Sequence, residues 1–129
     1  MEILGVDNVL VPVGELAAAK EFYGGKLGLV MKFEVPERGL ALFATGAEAP
    51  GIMVRSDPRA GEGAPPGMRL WLEVPDARAA AGQLAELGVA PLAAPFEVGT
   101  GWTVEVADPW GNVIGLTDYS KRPGLGRRA

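Results

Sequence analysis

Apolar and polar positions alternate in short runs along most of the chain, and a three-and-four spacing interrupts them twice. Residues 3–13 alternate around apolar positions and predict a strand, with Pro12 placing it near an edge or a bend. From Glu15 to Leu27 the period changes. Leu16, Ala19, Phe22, Tyr23 and Leu27 recur at helical spacing, and Gly28 predicts the stop. Leu29 to Val35 alternates again, with Met31, Phe33 and Val35 on one face and Lys32 and Glu34 on the other. Leu40–Thr45 and Ile52–Ser56 predict two further strands. Residues 57–67, rich in Gly and Pro, read as a linker. Beyond it Met68–Val74 predicts a strand, and Asp76 is placed to cap a helix through Ala79, Ala80, Leu84 and Leu87 that ends at Gly88. Strands follow at about 91–98, 101–107 and 112–118.

The two halves share one order: strand, helix, then three strands. Leu27-Gly28-Leu29 and Leu87-Gly88-Val89 lie sixty residues apart, as do Gly51-Ile52-Met53-Val54 and Gly111-Asn112-Val113-Ile114. Recurrence at this period predicts an internal duplication. The expected organisation is a first module over 1–56, a linker over 57–67, a second module over 68–118 and a basic, solvated tail over 119–129. Neither half is expected to bury its sheet alone, so the two are expected to share a core within one domain. The fold class is α+β.

Composition narrows the function more than the fold. The chain is 48% hydrophobic and 22% charged, enough apolar surface for a real core. A net charge of −4 from 16 acidic and 12 basic residues, with no basic stripe before the tail, argues against a nucleic-acid partner. No apolar run reaches membrane-spanning length, and the opening residues are acidic, so a cytoplasmic protein without a signal peptide is expected. The chain has no Cys and no His. That removes disulfides, thiolate sites, the commonest general base and the commonest zinc or iron ligand.

Several segments carry a family resemblance. They are Val6-Asp7-Asn8-Val9-Leu10-Val11-Pro12-Val13, Phe22-Tyr23 through Leu27-Gly28-Leu29, Arg69-Leu70-Trp71-Leu72-Glu73-Val74-Pro75-Asp76, and Asp108-Pro109-Trp110-Gly111-Asn112 with the run to Leu116. In this order they resemble the glyoxalase, bleomycin-resistance and extradiol-dioxygenase superfamily, the vicinal oxygen chelate proteins. The resemblance implies two βαβββ modules in tandem, forming a cup-shaped, barrel-like mixed sheet with helices outside, and a homodimer. It also implies a metal site built from His or Glu on the first and last strands of each module. At those positions this chain has Asn8, Arg69, Gly115 and either Val54 or Arg55. None is a good donor for a divalent ion, so neither a metal nor another cofactor is expected.

Strand parity gives the expected lining. Asn8, Leu10 and Pro12 form one set, Arg69, Trp71 and Glu73 a second, and Val113, Gly115 and Thr117 a third. Met31 and Phe33, with Phe43 or Trp102, complete an apolar wall. The candidate ligand-binding residues are Asn8, Leu10, Phe33, Arg55, Arg69, Trp71, Trp102 and Gly115, with no catalytic residue among them. Arg69 serves either to hold an anion or to pair with Glu73. Trp71 and Trp102 stack on a flat ligand or are plain core. Asn8 donates to a ligand or caps nearby backbone. Glu73 and Glu105 act as bases only if burial raises their pKa. Gly115, where the family's carboxylate is missing, is expected to leave room. The expected function is metal-independent binding of a small aromatic or anionic molecule, as in resistance or sequestration. The alternative is a glyoxalase- or dioxygenase-like enzyme with an unorthodox metal site.

Overall fold

The computed structural model describes residues 2, 4, 6–60 and 68–127. The chain divides into two compact units, Met1–Gly67 and Met68–Ala129. Of the expected linker, 57–60 is described, and 61–67 lies outside the described residues. No helix among the described residues is long and apolar enough to cross a membrane.

The first unit runs β1 (Asn8–Val13), a helix α1 (Leu16–Ala19) that continues as a wider π-helix over Lys20–Lys26, then β2 (Val30–Val35), β3 (Leu40–Ala44) and β4 (Gly51–Ser56). Its sheet order is β1-β4-β3-β2, with β1 parallel to β4 and the rest antiparallel. The second unit repeats the plan with β5 (Arg69–Glu73), α2 (Ala77–Glu86), β6 (Phe96–Val98), β7 (Gly101–Ala107) and β8 (Val113–Thr117). Its order is β5-β8-β7-β6, with β5 parallel to β8. The tandem βαβββ plan is therefore present. The strands pair as two separate four-stranded mixed sheets, not as one closed barrel.

Each helix covers one face of its own sheet. In the first unit Ala19, Phe22 and Tyr23 are buried with Val11, Val13, Ala41, Phe43, Ile52 and Val54. Tyr23 lies edge-on to Phe22 at 5.1 Å and 6.0 Å from the Phe43 ring. In the second unit Ala77, Ala81 and Leu84 are buried with Val104, Val106, Ile114 and Leu116. The buried stripe of α2 is thus rotated from the expected one, and Leu87 is half exposed. Asp76 caps α2 as the sequence predicts, its Oδ1 accepting from Ala79 N at 3.0 Å. Both helix exits need a left-handed residue, and Gly28 (φ 73°) and Gly88 (φ 84°) supply it. After α2 the closure is a Schellman motif: Gly88 N donates to Ala85 O, and Val89 N to Leu84 O.

One prediction of facing fails. A bulge at Lys32 shifts the β2–β3 register, so Met31 pairs with Phe43 whereas Phe33 pairs with Leu42. The extra residue breaks strict alternation. Phe33 therefore faces away from the helix, and Met31 shares the helix-side face of Phe43 rather than joining Phe33.

Candidate functional site

In each unit the face opposite the helix is the one with polar and exposed apolar side chains, and it is called the open face below. The open face of the second unit is set by register: Arg69, Trp71 and Glu73 on β5 lie opposite Val113, Gly115 and Thr117 on β8. On β7, Thr103 and Glu105 lie opposite Thr117 and Gly115, and Phe96 on β6 lies opposite Thr103. The Thr103 and Thr117 hydroxyls meet at 2.7 Å across that face.

Glu105 organises the centre. Its carboxylate accepts from Arg69 Nη1 at 2.8 and 2.6 Å and from Trp71 Nε1 at 2.9 Å. The indole of Trp71 lies directly over Gly115: a Cβ there would sit 2.7 Å from Trp71 Nε1 and 2.9 Å from Cγ. The room expected at Gly115 is thus filled by the indole. The Phe96 ring tilts against Trp71 at 6.3 Å between centroids, and both remain partly exposed, Trp71 at 44% and Phe96 at 39%. A strand glycine beneath and a carboxylate at the edge therefore fix an aromatic surface that solvent still reaches. The Arg69 side chain is 63% exposed and Glu105 16%, so the pair is open on the arginine side.

Arg69 pairs with Glu105 rather than with Glu73. Glu73 instead accepts from Arg127 N at 2.9 Å and from Arg127 Nη1 at 2.7 Å, which holds Arg127 against β5. Those bonds, the backbone one foremost, hold the Glu73 carboxyl below its ordinary pKa, the reverse of what a general base there requires. The tail is further tied by Lys121 N to Thr100 O at 3.0 Å and by the Lys121–Glu97 ion pair.

Trp102 does not join the set. It pairs with Glu97 on the opposite parity of β7, and the Arg78 guanidinium of α2 stacks 4.3 Å from its ring centroid. It belongs to the helix side. Phe96, which sequence reasoning did not single out, takes the aromatic place that Trp102 was expected to fill. Its signal was parity with Thr103, hidden because β6 has only three residues.

In the first unit Leu10 and Arg55 share the open face with Phe33. Leu10 pairs with Met53, Met53 with Leu42 and Leu42 with Phe33, while Arg55 pairs with Pro12 and Leu40. Leu10 is 50% and Phe33 46% exposed. Val54 is buried on the helix side. Asn8 has turned its amide oxygen to the backbone, accepting from Gly51 N at 3.1 Å, so it stitches β1 to β4. Asn112 does the same in the second unit, accepting from Met68 N at 3.0 Å, with its amide donating to buried Asp108 at 2.7 Å. Asn8→Ala is expected to lower the unfolding free energy by about 1 kcal/mol, because Gly51 N loses its acceptor. Chemical denaturation of the purified variant measures it, and an unchanged midpoint would show that water replaces the amide without cost.

These side chains do not fit a divalent cation. Asn8 has its oxygen engaged, Arg69 carries positive charge, and Gly115 lies under an indole. Register makes Met53 the counterpart of Gly115, since Leu10 faces Met53 as Trp71 faces Gly115. A thioether is a poor partner for a hard ion. Among the described residues no group of three or more His, Cys, Asp or Glu is placed to hold a metal.

Two βαβββ units, each with a helix on one face and an open sheet on the other, define a class of tandem-module α+β proteins. Residues 5–116 match the Glyoxalase/Bleomycin resistance protein/Dioxygenase superfamily, and the chain belongs to it. Among solved structures, TnmS3, an antibiotic binding protein from Streptomyces sp. CB03234, is similar at 28% identity and a TM-score of 0.78, over 92% of this chain and 98% of that one. A glyoxalase/bleomycin resistance protein from the same Streptomyces strain is 27% identical with a TM-score of 0.71, over 87% and 99%. The lactoylglutathione lyase of Agrobacterium tumefaciens shares the fold at 15% identity and a TM-score of 0.68, over 95% and 98%. A comparison with curated proteins gives no match.

Proposed function

We propose that this protein binds a planar aromatic small molecule, without a metal, in the manner of a resistance or sequestration protein. The observation that carries the reading is the half-exposed indole of Trp71, fixed over Gly115 and hydrogen-bonded to Glu105. A free surface tryptophan loses rotamer freedom when it stacks on a ligand; this one has already lost it, so stacking costs less. Arg69 adds charge selectivity. One nitrogen is held by Glu105, and among the described residues no other bond engages the guanidinium, which leaves donors for an anionic substituent. The similarity to an antibiotic binding protein supports the same reading.

Tryptophan fluorescence titration with 2-naphthoate and 2-naphthol tests it, alongside elemental analysis of the purified protein. Both compounds are expected to bind, naphthoate more tightly. Trp71→Ala is expected to weaken both by about tenfold or more, the equivalent of roughly 1.4 kcal/mol. Arg69→Ala is expected to remove only the preference for naphthoate. Unchanged affinity in Trp71→Ala would refute the platform, and a stoichiometric bound metal would refute metal independence.

A further inference from the structure

The open face of the first unit ends in a cleft. It lies where β1 and β4 finish and the chain turns through 57–60, and its volume is about 480 Å³. Leu10, Pro12 and Pro58 give it apolar walls, and Arg55, Asp57 and Arg59 give it charge. The volume falls within the range of small-molecule pockets, about 300–1,000 Å³.

The charges are arranged unequally. Asp57 is committed to its own turn: its Oδ1 accepts from Arg59 N at 2.9 Å and lies 3.6 Å from Arg59 Nε. Asp57 N is bonded to Val13 O at 2.7 Å, and Ala60 N to Asp57 O at 3.0 Å, so the turn presenting Arg59 is anchored to the end of β1. Arg59 therefore turns one edge of its guanidinium to Asp57. Arg55 reaches the same carboxylate only through space, its charge adding to those that hold the Asp57 carboxyl below its ordinary pKa. Its partners across the two ladders are Pro12 and Leu40, neither able to neutralise it, and among the described residues it has no ion pair. Two guanidiniums against one carboxylate leave the cleft with a surplus of one positive charge. A single arginine on a strand is ordinarily a solvated side chain. Two arginines around a proline-walled apolar cleft, with the nearest acid taken, make a receptor for a molecule that is both apolar and singly negative.

We propose that this cleft is a second ligand site, selective for amphipathic monocarboxylates, with Arg55 and Arg59 holding the carboxylate and Leu10, Pro12 and Pro58 the apolar chain. All of its lining residues belong to the first unit, and Trp71 is not among them.

Octanoate is the probe, chosen because it has no ring to stack on Trp71, with 1-octanol and octylammonium as neutral and cationic matches. Backbone amide shifts are followed by heteronuclear NMR on the full chain. Octanoate is expected to shift the amides of residues 55–59 saturably, octanol to bind about tenfold more weakly, and octylammonium not to shift them. Arg55→Gln and Arg59→Gln, both at exposed positions, are each expected to weaken octanoate by about fivefold or more with the spectrum otherwise intact. Trp71→Ala is expected to leave octanoate binding unchanged, which separates failure of this site from failure of the aromatic platform. Equal binding of octanoate and octanol would reduce the cleft to a plain apolar groove and overturn the proposal. So would wild-type octanoate affinity in the Arg55→Gln variant, or shifts lying outside 55–59.

Discussion

Gly115→Ala is expected to unseat Trp71 and abolish the aromatic platform with little loss of fold. The added methyl would lie 2.7 Å from Trp71 Nε1 and 2.9 Å from Cγ, distances at which one of the two groups must move. The backbone of β8 cannot move: Ile114 and Leu116 on either side are buried in the helix-side core. The indole must therefore rotate outward. It is already 44% exposed, so the exit is open, and the loss of stability is modest, about 1–2 kcal/mol. Rotation breaks the 2.9 Å bond from Nε1 to Glu105 and separates the ring from Phe96. Affinity for 2-naphthoate is expected to fall by about tenfold or more, as in Trp71→Ala, because the stacking surface loses its fixed orientation. A double-mutant cycle isolates the cause. In a Trp71→Ala background the same glycine substitution should cost almost nothing, in stability or in binding. Equal costs in the two backgrounds would show that the methyl acts on the strand and not on the indole.

That pair also shows where sequence reasoning reached the site and where it stopped. The period of two placed Arg69, Trp71 and Glu73 on one side of a single strand, and the structure agrees, since no pairing partner can alter parity within a strand. Gly115 joined them because a missing carboxylate stood out against the family pattern. Which neighbour would fill the vacancy depends on rotamer and register, and neither is written in a strand pattern. Trp102 failed for the related reason that its facing depends on the hairpin turn between β7 and β8. One residue more or less in that turn exchanges the faces. Met31 failed through a bulge at Lys32 that no local signal announces. The helix exits were legible because Gly28 and Gly88 answer a local demand for positive φ. The ion pairs were not, because Arg69 had several carboxylates within reach of the same face, and only the β7–β8 register selects Glu105.

The second large effect is expected at Asp118, a residue that strand and helix periods alone leave unremarkable at the end of β8. It is 2% exposed. Its Oδ2 accepts from Ala77 N at 2.8 Å, and its Oδ1 from Trp102 N at 2.9 Å, Ser120 N at 3.1 Å and Ser120 Oγ at 2.7 Å. One carboxylate thereby ties the first turn of α2, the start of β7 and the chain leaving β8, and it faces the positive end of the helix. Burial alone would raise its pKa; the four donors outweigh burial and bring it down from 3.8 to about 2. The folded pKa lies below the unfolded one, so the carboxylate stabilises the fold above pH 3.8 and the benefit is lost as pH falls towards 2. The size of that acid-sensitive contribution is on the order of 2 kcal/mol. Asp118→Asn keeps the shape but removes the charge and turns an amide towards groups that themselves donate. At neutral pH it is expected to unfold with about 2–4 kcal/mol less free energy than the parent chain. Urea denaturation of both proteins from pH 7 to pH 2 measures the difference between them, which removes the titration of Asp57, Glu73 and Glu97 common to both. The difference should narrow below pH 4, as Asp118 in the parent takes up its proton and becomes neutral like the amide. A difference that stays constant down to pH 2 would mean that the four hydrogen bonds stabilise the fold without drawing on the charge.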